Sequence, residues 1–417
     1  MHSDRWFREI PYMGVIWVVS EACKLGFENG HPDWCNLGQG QPEVGPMDGA
    51  PARINSVQME PIDHAYGPIG GTDELREAVA AHYNRLYRVG RKPYTGDNVS
   101  IASGGRLMLS RTFAALGAIR VGYQVPDYTA YEDMFDYHRH RLDPVCLEAR
   151  EADGFMISPS RFADLVKEHA LRAHVFSNPC NPTGRVVRGD DLDAYVGVAR
   201  DQGCLLVSDE FYSHFVYDGP GQPAAGPVSS AAFVDDPEED PVLIIDGLTK
   251  SFRYPGWRVG WAVGPQPLVE ALGRTASAID GGPGRPIQRA AVQVLGEGRA
   301  RSETTAVRDV FCKKRDVMVA RLREMGVRVP HDSDATFYVW GCLDDLPESL
   351  RDADTFFHEA LAHKVMTVPG RFFDVNPGGE REGPSPYRSW MRFSFGPPMD
   401  NLTMGLDRLE QMIRAVV

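Results

Sequence analysis

The chain has 417 residues, 43% hydrophobic and 24% charged, the balance of a soluble globular protein. That length exceeds one ordinary compact core and implies two or three domains, or one large α/β domain with an appendage. A formal net charge of −13 argues against a protein that tracks a nucleic-acid backbone. Seven cysteines with no C-x-x-C pair and no zinc-type spacing argue against a disulfide framework or a metal centre, and fit reduced thiols in the cytoplasm.

In chain order, the N-terminal "MHSDRWFREIPYMGVIWVVSE" holds an apolar run of only five residues, Val15 to Val19. This is too short for a signal segment or a membrane span. A helical pattern follows at 75–89, "LREAVAAHYNRLYRV", and then strand-like runs alternate with helical ones. The strands are expected at 98–103, 119–125, 173–178, 204–209 and 242–246, with a helix at 188–203. "CLLVSD" and "VLIID" are almost wholly apolar before a carboxylate, as strands buried on both faces should be. This alternation predicts the α/β class, with a mostly parallel sheet covered by helices.

Two loops stand out, at 217–241 and 374–388, the first expected as a surface excursion and the second as a lid. Between them, 302–326 predicts one long helix with a Ser/Thr cap region and a stop at Gly326. "VRVP", "ATFYVWGCL" and "WMRFSFG" then predict strands of a smaller α+β unit. The expected division is an N-terminal arm that contributes to a small domain (1–45), a large domain (46–300), a linking helix (301–326) and the rest of the small domain (327–417).

In α/β sheets, ligands gather beyond the C-terminal ends of strands. After the first run stands Gly104-Gly105-Arg106, opening a helix: a plain turn, or a cradle where backbone N–H groups and the helix dipole meet an anion. After "AHVFSN" comes a Pro-rich turn that aims Asn181, and after "CLLVS" come Asp209 and Tyr212. After "VLIIDGLT" comes Lys250, one of only seven lysines, and eight residues later Arg258. An anion cradle, an amide, a carboxylate, a phenol, a lysine and an arginine at neighbouring strand ends suit one ligand, pyridoxal 5′-phosphate. Its phosphate suits the glycine turn and Arg258, its ring nitrogen a carboxylate, its phenolate oxygen hydrogen-bond donors and its aldehyde a lysine.

Seven ordered motifs then resemble the class I/II aminotransferase family, the aspartate aminotransferase-like fold type I pyridoxal-phosphate enzymes. They are "CNLGQGQPEVG", "YGPIGGTDELREAVAAHY", "VPDYTAY", "SNPCNPTGRV", "SDEFY", "TKSFRYPGWRVG" and "MRFSFG", and the resemblance spans essentially the whole chain. It implies a large domain with a seven-stranded-type sheet, a smaller α+β domain built from both ends of the chain, and a cytoplasmic homodimer with shared active sites. It also implies transfer of an α-amino group between an amino acid and a 2-oxo acid.

Carried over residue by residue, the resemblance makes Lys250 the lysine that holds the cofactor covalently and then moves the proton. It makes Asp209 the partner of the ring nitrogen, and Asn181 and Tyr212 donors to the phenolate oxygen. Tyr128 would stack on the ring and share in catalysis. Gly104, Gly105, Arg106, Thr249 and Arg258 would bind the cofactor, with Tyr66 serving the neighbouring subunit. Arg392 would grip the substrate carboxylate, beside Gly38 and Asn181, and the Asn181–Pro182 bond would be cis.

The pattern departs in places. Gly247 stands where the family commonly has a phosphate-binding serine, and Arg106 where a smaller residue is usual. Two readings of Arg106 stay open, a phosphate contact or one to the substrate. The segment 281–288 corresponds to one that in the family often borders the partner's active site, so Arg285 would meet an acidic substrate there, while Arg371, Arg381 and Arg388 read as solvated loop arginines. Phe252, Tyr254 and Trp257 read as packing of the lysine turn. The alternative function is a specialised pyridoxal-phosphate enzyme of secondary metabolism, a cyclase, an eliminating or replacing enzyme, or an oxidase, on the same scaffold.

Overall fold

The computed structural model describes residues 6, 10–217 and 226–416. Among the described residues, twelve strands form three sheets. In chain order they are β1 (Cys35–Asn36), β2 (Val99–Ala102), β3 (Ile119–Val125), β4 (Leu142–Glu148), β5 (Ala173–Ser177), β6 (Leu205–Asp209), β7 (Val242–Gly247), β8 (Gly260–Val263), β9 (Tyr338–Cys342), β10 (Val365–Met366), β11 (Val368–Pro369) and β12 (Trp390–Ser394). The large sheet has the order β2-β8-β7-β6-β5-β3-β4, parallel throughout except for β8, which runs against both its neighbours.

Alternate residues of the central strands feed two separate apolar cores. Val207, Leu243, Ile245 and Ala262 belong to one, and Leu206, Val242, Ile244, Trp261 and Val263 to the other. A strand buried on both faces needs apolar residues at every position, which is why these runs lack a polar alternation. The first core continues into the antiparallel sheet β11-β12-β9, and β1 pairs with β10, so an N-terminal segment is joined to a C-terminal one.

Two strands of the large sheet were not foreseen from sequence, nor were the two-residue strands β1, β10 and β11. β4 is an edge strand with Pro144 inside it, where proline is tolerated but erases the expected pattern. β8 has only four residues and begins with glycine. "VRVP" makes no strand, only an isolated bridge between Arg328 and Cys342. The long helix spans Glu297–Glu324 and starts after Gly296, with no side-chain cap, so the Ser/Thr cap near 302 is a mistaken expectation. Gly326 does follow its end in the left-handed region, with φ +90°.

Part of the 217–241 loop, residues 218–225, lies outside the described residues. The rest is no surface excursion: Ser229, Ser230, Ala231 and Val234 are buried, and the Ser230 N–H donates to Glu210 Oε1 at 2.8 Å. The 374–388 loop is fastened rather than free. The Asn376 N–H donates to Glu132 at 2.7 Å, and the Arg381 guanidinium donates to the Tyr123 hydroxyl at 3.2 Å and pairs with Asp374. Arg381 is therefore a loop clamp and not a solvated arginine.

Candidate active site

Six strand ends converge on one edge of the large sheet. β2, β3, β5, β6 and β7 deliver by their C-terminal ends Gly104–Gly105, Tyr128, Asn181, Asp209 and Lys250. β8 runs the other way, so its beginning lies at the same edge and presents Arg258 just before Gly260. A cavity of about 1450 Å³ opens there, lined among others by Gly105, Arg106, Tyr128, Thr249 and Lys250. The N-terminal helix Gly14–Lys24 supplies Val15, Ile16 and Val19 as its apolar wall. No residue of 374–388 lines it, so the lid expectation is not met.

The glycine turn has the shape of an anion cradle. Gly104 has φ +96°, and a Cβ there would stand 2.3 Å from Arg258 Nη2. A Cβ on Gly105 would stand 1.9 Å from the Phe211 ring. Both positions therefore hold the backbone close to its neighbours, at the start of the helix Gly105–Ala115, where the first N–H groups lack intrahelical acceptors. Arg258 is itself left-handed, with φ +53°, and its Nη1 donates to the Pro255 carbonyl at 3.1 Å. Gly247 has no room for a side chain: a Cβ would lie 2.5 Å from the Val259 carbonyl. The side chain of Arg106 reaches the Tyr128 hydroxyl at 2.9 Å. Together, the cradle, Arg258 and the adjacent lysine and carboxylate fit a phosphorylated pyridine aldehyde.

Lys250 Nζ donates to the Gly40 carbonyl. Enclosure by protein strips its hydration, and Arg392, Arg106 and Arg258 add repulsion, so its pKa falls to about 7 although Asp209 opposes the shift. An uncharged amine at neutral pH is a nucleophile. Asp209, also enclosed, is pushed up to about 6 by loss of hydration, opposed by the Tyr131 hydroxyl that donates to its Oδ2 at 2.9 Å. Tyr254 packs on Trp257 with ring centroids 4.0 Å apart, and Phe252 is buried, so these aromatics do hold the turn.

Arg392 comes from β12 and is buried. Its Nη1 donates to Asn181 Oδ1 at 2.9 Å and its Nη2 to the Gly38 carbonyl at 3.0 Å, while its Nε has no partner. A buried guanidinium with an unpaired N–H is suited to an arriving carboxylate. Because Asn181 accepts through Oδ1, the donor end of its amide is what it has left to offer. A Cβ on Gly38 would lie 3.1 Å from the Thr367 carbonyl, so that strand end sits close against its neighbour.

Tyr66 and Arg285, both expected at a neighbouring copy's site, lie outside this cavity: Tyr66 is 97% exposed, and its carbonyl accepts from Arg285 at 3.0 Å. One expectation is overturned. The Asn181–Pro182 bond is trans; the cis bonds are Val125–Pro126 and Asn178–Pro179.

Four site residues escaped the sequence reading. Tyr131 meets Asp209, and the Tyr338 hydroxyl lies 2.8 Å from that of Tyr212. Asp127 accepts the Ser177 hydroxyl and, at 2.6 Å, the Tyr128 N–H, and the Ser177 oxygen accepts the Asn181 N–H at 3.1 Å. Tyr131 was within reach, since it closes the quoted "VPDYTAY"; Tyr338 looked like any strand aromatic.

The family described as aminotransferase class I and II matches residues 32–409. An aspartate aminotransferase of Sulfurisphaera tokodaii is 25% identical over 389 residues, covering 91% of this chain and 89% of its own. A probable N-succinyldiaminopimelate aminotransferase of Mycobacterium tuberculosis is 29% identical over 386 residues, covering 90% and 91%. In fold, the chain superposes on the aspartate aminotransferase from Thermus thermophilus with maleate at a TM-score of 0.78, with 23% identity, covering 97% of this chain and 100% of that one. The chain belongs to the class I and II aminotransferase family. It is an enzyme of amino-group transfer, as these relatives are by name. No helix among the described residues is long and apolar enough to cross a membrane.

Proposed function

We propose that this aminotransferase binds pyridoxal 5′-phosphate along the strand ends and takes as donor an amino acid whose side chain carries a second carboxylate. The observation that carries the reading is the enclosed Lys250, facing a buried carboxylate and ringed by Arg392, Arg106 and Arg258. When bound, the cofactor supplies an aldehyde for a lysine and a protonated ring that takes up the electron pair left at Cα.

The residues divide the work. Gly104, Gly105, the Arg106 N–H and Arg258 hold the phosphate, and Thr249 borders it. Asp209 keeps the ring nitrogen protonated, with Tyr131 holding that carboxylate in place. Tyr212 and Asn181 donate to the phenolate oxygen, and Tyr128 covers the ring face. Lys250 Nζ would hold the aldehyde carbon until the substrate amine displaces it, and the freed amine would then carry the proton from the substrate Cα to the former aldehyde carbon, two bonds away. Arg392 grips the α-carboxylate beside Gly38 and fixes which Cα bond faces Lys250.

Arg106 supplies the second cation. Its guanidinium is held at the cavity wall by Tyr128, where a distal carboxylate would reach it. The aspartate aminotransferases among the relatives are named for such a donor. Met59, Ile62 and Tyr66 are exposed apolar side chains on one short segment, which fits self-association through which Tyr66 would serve a second copy's site. A cytoplasmic location fits seven cysteines with no disulfide between them.

A single-turnover panel tests this reading. Reconstituted protein is mixed with aspartate, glutamate, alanine or phenylalanine without an oxo acid, and the 2-oxo acid formed is identified by mass. Acidic donors are expected to react fastest, and Arg106→Ala to lower their kcat/KM about 100-fold while alanine changes little. An equal loss for alanine would remove Arg106 from specificity, and preference for phenylalanine would overturn the acidic donor.

A further inference from the structure

Tyr338 joins two parts of the site that the sequence motifs treat as separate. It lies on β9 and Arg392 on β12, with Arg392 paired to Trp340 and Ser394 to Tyr338. Residues two apart on paired strands share a face, so Tyr338 and Arg392 are diagonal neighbours on one side of the small sheet. The Arg392 guanidinium carbon stands 4.0 Å from the Tyr338 ring centroid. The Tyr338 hydroxyl meets that of Tyr212, which comes from the turn after β6 in the large sheet. Tyr338 is buried from bulk solvent yet borders the cavity.

Arg392 therefore reaches the two proposed donors to the phenolate oxygen along two arms. One is direct, to Asn181. The other passes through the Tyr338 ring to its hydroxyl and on to Tyr212.

We propose that Tyr338 is a positioning residue that couples the carboxylate grip at Arg392 to the donor strength of Tyr212. Its ring attracts the guanidinium face and fixes the plane of the fork. Its hydroxyl, beside that cation, is a strong donor, and a phenol that accepts a hydrogen bond donates its own more strongly. When a substrate carboxylate neutralises Arg392, the Tyr338 hydroxyl weakens as a donor, and Tyr212 weakens in turn. The arriving substrate thereby raises the basicity of the atoms that Tyr212 faces.

This inference rests on the pyridoxal-phosphate reading, and the test separates the two. Holoenzyme is titrated with acid and base while its visible band is followed, with and without succinate. Tyr338→Phe keeps the ring and removes the hydroxyl. It is expected to raise the midpoint by about half a pH unit and to reduce the further rise caused by succinate. In a Tyr212→Phe background the same change should do nothing.

The ring is tested on cofactor-free protein by calorimetry with succinate. Affinity should be within about twofold of the unsubstituted protein for Tyr338→Phe, and about tenfold weaker for Tyr338→Leu or Tyr338→Met. An unmoved midpoint in Tyr338→Phe, the same movement without Tyr212, or equal affinities across the ring variants would overturn the proposal alone. Absence of any visible band in the unsubstituted protein would overturn the cofactor reading and this proposal with it.

Discussion

Arg392 spends two of its three donor groups on the protein, one on Asn181 Oδ1 at 2.9 Å and one on the Gly38 carbonyl at 3.0 Å, and leaves Nε unpaired in a buried site. The fork is thus held in place before any carboxylate arrives. Lysine at this position keeps the charge but has neither the fork nor the plane. Arg392→Lys is expected to raise KM for every amino acid about 100-fold, the loss of a two-pronged charged pair. Steady-state kinetics check this, and an unchanged KM would show that the carboxylate binds elsewhere.

Lys250 sets a pH dependence opposite to that of a surface lysine. Its pKa is near 7 in the fold against 10.5 ordinarily, so between these values the unfolded chain holds a proton that the folded chain lacks. Stability therefore rises with pH across that window, and the full penalty is present below about 7. Lys250→Met should abolish transfer while raising the unfolding temperature of the cofactor-free protein at pH 6, with the gain shrinking toward pH 10. Melting curves of both proteins across this range decide it, because other titrating groups cancel in the difference. A gain of equal size at both ends would contradict the depressed amine.

Asp209 titrates near 6 in the cofactor-free fold, and only its ionised form can hold a protonated ring nitrogen. A bound cation lowers that pKa further, so affinity for pyridoxal phosphate is present above about 6 and is lost as pH falls through it. The Tyr131 hydroxyl favours the ionised form, so Tyr131→Phe should push the carboxyl higher and start the loss at a higher pH. Absorbance titrations with the cofactor between pH 5 and 8 measure both midpoints. Coincident midpoints would mean that Tyr131 does not act on Asp209.

Gly247 and Gly104 fail differently when filled. A side chain at 247 meets the Val259 backbone at 2.5 Å, and backbone cannot step aside. Gly247→Ser should cost about 1–3 kcal/mol of stability. At Gly104 the obstacle in space is the end of the Arg258 side chain at 2.3 Å, which can swing away, but φ +96° strains any residue with a Cβ. Gly104→Ala should therefore cost cofactor affinity as well as stability, whereas the loss at 247 is one of stability. Melting temperature and cofactor affinity, measured on both variants, separate the two outcomes.

The strand ends were legible because a doubly covered sheet needs apolar runs, and the chemistry-bearing residues follow those runs directly. β5, β6 and β7 were predicted to within a residue or two of the observed bounds. β4 was not, since Pro144 and an exposed edge leave no such run. Within the site, Lys250, Asp209, Asn181, Arg258 and Arg392 were read from motifs and come together around one cavity. Tyr338 was not read, because its role depends on facing Tyr212 across two sheets, a relationship that spacing along one chain does not encode. The trans bond at Asn181–Pro182 shows the converse limit, where a resemblance supplied a detail that this backbone does not adopt.

The reversed direction of β8 has a mechanical meaning. Gly247 at the end of β7 is paired across to Gly260 at the start of β8, so the excursion that carries Lys250 and Arg258 leaves and re-enters the sheet at one rung. Both ends of that excursion are anchored together, and the amine and the guanidinium ride on it as a single tool head. Arg392 is mounted on a different sheet. Any rocking of the small sheet against the large one would therefore leave the lysine-to-phosphate spacing untouched and change only the reach from the carboxylate to the amine.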